Sequence, residues 1–244
     1  MRKKKKLKKI PYHIVLFPDG NRRWAKKEKL PTFQGHWHGY LNLKKFARWC
    51  QEFGIKVLTA FGFSTENWKR SKEEVNFLME LFEKGLSNKK DIGDLHKEGV
   101  RIRIIGQKEK LRKSLQRVIE NVEDLTKRNK KLYLNLAVSY GGQWDILQAV
   151  QKIIKDETPA KKITKDLFEK YLSTAGLPAP DLVIRAGGEK RLSNFLLWQA
   201  AYSELYFSKK LWPDFSKDDL CRAIEEYSRR QRRFGGVRVK KYLK

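Results

Sequence analysis

At 244 residues and 40% hydrophobic, the chain is long enough for one α/β domain with a sizeable core and too apolar to be disordered. Its formal net charge of +27 calls for an anionic partner: diphosphate, lipid headgroup or nucleic acid. No apolar run approaches the roughly 18 residues of a membrane span, and the basic start lacks the apolar stretch of about 7–15 residues that a signal peptide needs. Cys50 and Cys221 match no metal or redox spacing, so a reduced, cytoplasmic setting is expected.

Arg2, Lys3, Lys4, Lys5, Lys6, Lys8 and Lys9 open the chain, and Arg229, Arg230, Arg232 and Arg233 lie near its close. Such blocks read as solvated tails, with residues 1–12 and 237–244 flanking one domain over 13–236. The domain begins with an apolar run, Ile14, Val15 and Leu16, that reads as a buried strand. Pro18 stops it, Asp19-Gly20-Asn21 turns, and Arg22-Arg23-Trp24-Ala25 can start a helix. A strand turning into a helix N-terminus aims free N–H groups at one point, which suits phosphate. Asp19 is a hard oxygen ligand of the kind Mg²⁺ prefers, or else a plain helix cap.

A helix is expected from about His36 to Phe53, ended by Gly54, then a strand from Val57 to Phe63. Ser71 and Glu74 form a capping box before Val75, Leu78, Met79 and Phe82 at helical spacing. Val100 to Ile105 reads as a strand, and Leu111, Leu115, Val118, Val122 and Leu125 mark a long amphipathic helix. Leu132 to Val138 is the next strand, running into Gly141-Gly142 and a helix carrying Ile146, Val150 and Ile153. Thr164 caps a short helix through Leu172, and Leu182 to Ile184 is a strand ending in Arg185 before Gly187-Gly188. Leu205 to Phe207 is a short last strand, and Ser216 with Asp219 caps a helix through Tyr227.

This alternation, without repeat or long linker, predicts a single α/β domain with a largely parallel central sheet wrapped by helices. Ligands then gather beyond the carboxyl ends of the strands. Asp19 to Arg23 follow the first strand, and Ser64-Thr65-Glu66-Asn67-Trp68-Lys69-Arg70 the second. Arg185, Gly187, Gly188, Glu189, Lys190, Arg191 and Ser193 follow the fifth, and Glu204 falls just before the last. Together these cations, hydroxyls and two carboxylates suit two phosphate-bearing groups and a Mg²⁺.

The segments HIVLFPDGNRRWA, FGFSTENWKRSKEEVNFLMELF, LNLAVSYGGQWDIL, DLVIRAGGEKRLSNFLLWQAAYSELYF and RRQRRFGG closely resemble, in order, the signatures of cis-prenyltransferases of the undecaprenyl diphosphate synthase type. The resemblance runs from about His13 to Gly236. It implies a parallel sheet with a hydrophobic tunnel, and a Mg²⁺-dependent homodimer that extends an allylic diphosphate, farnesyl or geranylgeranyl, by repeated cis condensation with isopentenyl diphosphate. The product would be a long polyprenyl diphosphate of the cell-wall lipid-carrier kind, around undecaprenyl size.

By position, the resemblance makes Asp19 the essential aspartate that works with Mg²⁺, and Gly20, Asn21, Arg22 and Arg23 the cradle of the allylic diphosphate, beside Trp24. It places His36 and Arg70 in the diphosphate region, and Ser64 and Asn67 where the isopentenyl group reacts, with Thr65, Glu66 and Trp68 in the same segment. Arg185, Arg191 and Ser193 become the isopentenyl diphosphate clamp, and Glu204 a second metal-associated carboxylate. Arg232 to Gly236 would reach toward the neighbouring subunit's site. The chain departs from the pattern at Pro18, where many relatives have methionine, at Lys190, which replaces histidine or glutamine, and at Thr32, where some relatives have arginine.

Ionisation of the allylic C–O bond asks for arginines, amides and Mg²⁺ at the leaving group, and no covalent nucleophile. Asn67, an Asp19-bound water or the diphosphate can take the proton. The apolar faces around Phe63, Phe77, Leu78, Leu81 and Phe82 can wall a tunnel, although plain core is the simpler reading for most of them. Gly62 leaves room for a chain or merely marks a strand bulge.

Other readings are a basic nucleic-acid-binding α/β protein and a non-catalytic partner subunit of the same family. No Lys/Arg–aromatic module supports the first, so no nucleic acid is expected. Non-catalytic relatives lose the Asp and Asn positions, whereas Asp19, Asn67 and Glu204 are all present here, which argues against the second. No P-loop motif occurs, and His36 with His38, spaced i, i+2, do not share a helix face for zinc. The basic ends allow peripheral contact with an anionic membrane.

Overall fold

Six apolar runs become the strands of one sheet in a computed structural model that describes residues 9–230. The strands are β1 (His13–Phe17), β2 (Val57–Ser64), β3 (Val100–Ile105), β4 (Leu132–Tyr140), β5 (Leu182–Arg185) and β6 (Glu204–Phe207). They lie in the order β3-β4-β2-β1-β5-β6, and every neighbouring pair is parallel. Parallel pairing requires crossovers, and the crossover helices bury both faces of the sheet. Ile14 and Leu16 of β1 therefore enter one core with Leu58 and Ala60, while Val15 and Phe17 enter a second with Val183 and Phe195.

Eight α-helices surround the sheet among the described residues: α1 (Asn21–Lys27), α2 (Thr32–Glu52), α3 (Lys72–Ser87), α4 (Lys89–Lys97), α5 (Lys113–Thr126), α6 (Gly142–Lys155), α7 (Lys165–Tyr171) and α8 (Lys217–Arg229). The capping boxes read from the sequence are present in part. Ser71 accepts from the Glu74 amide at the start of α3, and Ser216 with Asp219 closes a reciprocal box on α8.

Four helices differ from expectation. α2 starts at Thr32, four residues early, behind Pro31, whose φ of −58° already suits a helix entry. α4 was not expected; Asn88 caps it by accepting from the Asp91 amide, and Ile92 and Leu95 bury its short apolar face. α5 starts only at Lys113, so Leu111 belongs to the turn before it and Leu125 faces solvent. α6 buries Gly142, Asp145, Ala149 and Ile153 and exposes Val150. Its small residues decide this, since a Cβ at Gly142 would sit 2.8 Å from Leu197 Cγ.

The chain leaves β1 toward β2 on one side and returns to β5 on the other. The carboxyl ends of β1 and β5 thus lie side by side at the point where the winding reverses, where open α/β sheets form a crevice. The basic cluster of residues 2–8 and the Arg232 to Gly236 segment lie outside the described residues.

Candidate active site

Register places the crevice's first pair. Phe17 of β1 lies opposite Arg185 of β5, so Asp19, two residues on, stands over the Arg185 side chain. That guanidinium is only 5% exposed, stacks 4.9 Å from the Phe17 ring centre, and donates to Asp19 Oδ2 at 2.9 Å. It also donates to Ser193 Oγ at 2.9 Å and to the Arg191 carbonyl. Burying a guanidinium without a carboxylate is costly, so this pair fixes both side chains.

Asp19 is not the helix cap. Gly20 is, with φ of +104° and no side-chain cap, and the first helical bond runs from the Trp24 amide to the Gly20 carbonyl. The amides before it have no partner within the helix. The Asp19 carboxylate stays 36% exposed, and Arg23 approaches its other oxygen at 3.6 Å. The loop after β5 comes this close only because Gly187 has φ of +86° and no side chain. A Cβ there would lie 2.8 Å from an Arg23 nitrogen and 3.0 Å from the Asp19 carbonyl.

The opposite wall is the 3₁₀ turn after β2, residues Thr65–Lys69. Asn67 Oδ1 accepts from the Ser64 amide at 3.1 Å in a reciprocal cap that locks both side chains. Glu66 accepts from Asn194 at 2.8 Å. Burial works to raise the Glu66 pKa, but this bond and those from its own segment hold it below the usual range.

Behind the turn, Glu74 collects three donors. Arg70 reaches it at 3.0 Å, His36 at 3.2 Å and Arg22 at 3.7 Å. Burial pushes the His36 imidazole below its ordinary pKa despite the pull of Glu74, so His36 is a neutral donor near pH 7.

A cavity of about 1310 Å³ opens between these walls. Asp19, Gly20, Asn21, Arg22, Arg23, His36, Ser64, Glu66, Asn67, Arg70, Arg185, Arg191 and Ser193 all line it. Its other end is apolar, walled by Leu43, Phe63, Leu78, Leu81, Phe82, Leu134 and Leu136 among others. Gly62 lines it as well, and the β2–β4 register slips at the same place, so this glycine is both a bulge and an opening. Phe77 does not line the cavity but packs against Phe33 and His36.

Four expected residues are not on the cavity wall. Trp24 donates to Asp214 at 2.8 Å and packs on His38. Trp68 donates to Ser139 at 2.9 Å, and Thr65 bonds Glu66. Glu204 begins β6 opposite Leu182, three strand residues or roughly 10 Å below the Arg185 level, at the amino end of the sheet. It pairs there with Arg230 at 2.9 Å, so the structure does not bring Glu204 to Asp19, and Arg230 is no solvated tail charge. Glu74 and Asn194 were not foreseen as site residues. Glu74 lies four residues after Arg70, a spacing that marks an ion pair on a helix; for Asn194 only the fold reveals the contact.

Among the described residues no three His, Cys, Asp or Glu converge as a metal cage. Asp19 alone still fits Mg²⁺, which binds through one or two carboxylates when phosphate oxygens and waters complete its octahedron.

Comparison with known proteins agrees with this geometry. Residues 17–235 match the prenyltransferase family model described as "Putative undecaprenyl diphosphate synthase". An isoprenyl transferase of Thermotoga maritima is 52% identical over 94% of this chain and 98% of its own length. A tritrans,polycis-undecaprenyl-diphosphate synthase (geranylgeranyl-diphosphate specific) of Pyrococcus abyssi is 46% identical over 93% of this chain and 87% of its own. The crystal structure of lavandulyl diphosphate synthase from Lavandula x intermedia with dimethylallyl diphosphate superposes with a TM-score of 0.88 at 39% identity. It covers 93% of this chain and 98% of that one.

Proposed function

Because this chain belongs to the undecaprenyl diphosphate synthase family of prenyltransferases, we propose that it condenses isopentenyl diphosphate repeatedly, in cis, onto an allylic diphosphate with the help of Mg²⁺. The observation that carries this reading is one cavity with two chemistries: a cationic crevice for diphosphates joined to an apolar chamber for hydrocarbon.

In this reading Arg22, Arg23 and the first amides of α1 receive the allylic diphosphate, while Arg185, Arg191 and Ser193 hold the isopentenyl diphosphate. Guanidinium cations set against a diphosphate stabilise the negative charge that grows on it as the C–O bond ionises, and prepositioned donors do so without reorganisation. Mg²⁺, held by Asp19 and phosphate oxygens, would supply further charge stabilisation to the leaving group. The Ser64–Asn67 cap fixes a polar edge where the alkene approaches, and Phe63, Leu78 and Phe82 exclude water from the electron-deficient carbon. Arg70 and His36, steadied by Glu74, are positioned to take over diphosphate contacts when substrate arrives.

The apolar chamber supports a long product, in keeping with the undecaprenyl product of the Pyrococcus abyssi relative. We also read the protein as a homodimer, supported by Leu147, Val150, Ile154 and Trp198, which expose large apolar side chains. Its basic ends suit peripheral contact with anionic membrane; no helix among the described residues is long and apolar enough to cross one. The test is labelled isopentenyl diphosphate with geranyl, farnesyl or geranylgeranyl diphosphate and Mg²⁺, followed by chain-length separation. Ladders of extended products are expected, and no incorporation with any primer would overturn the reading.

A further inference from the structure

The apolar end of the cavity holds one polar cluster. Tyr40 and Lys44 of α2 and Asp91 of α4 line it beside Leu43, Leu86 and Ile92. The Tyr40 hydroxyl donates to Asp91 Oδ2 at 3.1 Å, and Lys44 Nζ reaches the same oxygen at 2.6 Å. Lys44 Nζ also sits 5.6 Å from the centre of the Tyr40 ring. Lys44 and Asp91 are only 24% and 20% exposed, so the pair is a part of the wall and not a surface bridge. Bonding to Lys44 draws the Asp91 carboxyl below its usual pKa, and burial with Asp91 nearby drives the Tyr40 hydroxyl up.

The ring itself closes a seam. Gly85 of α3 faces Tyr40, and a Cβ there would come 2.9 Å from Tyr40 Cε2. A glycine inside a helix sacrifices helix propensity, and here its lack of a side chain admits the ring. The cluster therefore fastens α2 to the corner between α3 and α4. α2 meets α3 again one turn earlier, about 6 Å along α2, through His36 and Glu74.

We propose that Tyr40, held by Asp91 and Lys44, is the stop that sets the length of the hydrocarbon product. This rests on the prenyl-transfer reading above. A chain growing away from the crevice runs along apolar wall until it meets this cluster. To pass, it must press hydrocarbon against a paired charge, stripping the remaining water from it, or break the tie between α2 and α4. Neither gains as much as leaving the cavity, so elongation ends where the chain reaches the ring. The aliphatic wall is permissive; the polar cluster is selective.

The test measures product-length distributions from labelled isopentenyl diphosphate for wild type, Tyr40→Ala and Asp91→Ala, each checked for folding by circular dichroism. Both substitutions open the seam, and the most abundant product is expected to lengthen by at least one isoprene unit. If the cluster served only to hold the helices together, total incorporation and melting temperature would fall while the length distribution stayed in place; that outcome overturns the proposal. If Tyr40→Ala does not fold, Asp91→Ala decides by the same readout. Wild-type protein that incorporates nothing would overturn the prenyl-transfer reading itself, a failure distinct from unchanged lengths in an active variant.

Discussion

Replacing Gly62 tests the apolar chamber most directly. Gly62 lies in the slipped stretch of β2 with its α-carbon on the cavity. A Cβ built there meets Phe82 Cζ at 3.0 Å, Phe82 Cε1 at 3.1 Å and the Ala137 carbonyl at 3.2 Å. Phe82 is only partly buried, so its ring tip can yield the few tenths of an ångström that alanine needs. Leucine adds three more carbons, which must enter the cavity or drive Phe82 aside. Overpacking of this kind costs about 1–3 kcal/mol. For a chain of this size each kcal/mol lowers the melting temperature by about 2–4 °C, so a fall of roughly 2–12 °C is expected for Gly62→Leu and less for Gly62→Ala. The diagnostic readout is the product ladder at 25 °C, where the variant should remain folded. Gly62→Leu should shift products to shorter chains, with Gly62→Ala between it and wild type. Unchanged lengths in a folded, active Gly62→Leu protein would remove this position from the path of the chain. A bulge without a cavity role would lower stability alone.

Asp19→Ala should reduce turnover a thousandfold or more, equivalent to about 4 kcal/mol of barrier, with the far-ultraviolet spectrum preserved; wild-type rates would refute its role. Excess EDTA should abolish turnover and added Mg²⁺ restore it, and full activity in EDTA would remove the metal from the mechanism. His13 is buried between the Pro178 carbonyl and Thr59, and burial lowers its pKa from 6.5 to about 4. The folded state thus binds fewer protons than the unfolded one in that window, so stability is complete above about pH 6.5 and declines toward pH 4. The loss is about 2 kcal/mol between pH 7 and pH 5, from a total of about 3. Urea titrations should show a steeper loss of stability between pH 7 and pH 5 in wild type than in His13→Gln, where His36 still contributes. Deleting residues 2–9 should weaken sedimentation with anionic liposomes at low salt by about 1 kcal/mol per lost cation at most, and unchanged binding would leave those residues as a solvated tail.

The strands and most helices were legible because their signals are local. Ile14 to Leu16, the Ser71 cap and the Ser216 box each act within a few residues of themselves. Even the crevice could be inferred, since alternation dictates a parallel sheet and a parallel sheet gathers its strand exits at one end. What the sequence could not determine is anything that depends on register or on a neighbour's shape. Asp19 reads from the sequence as a Mg²⁺-associated carboxylate, yet only the alignment of Phe17 with Arg185 shows that carboxylate turned onto a buried guanidinium. Val150 looks like core at helical spacing, but α6 buries Gly142 and Ala149 instead, and Gly142 lies so close to Leu197 that only a residue without a side chain fits there. Glu204 illustrates the limit best. It neighbours a strand in sequence as Asp19 does, yet it begins its strand where Asp19 follows one. In a parallel sheet, strand beginnings and ends lie at opposite ends of the sheet, so within one chain the two carboxylates stand apart.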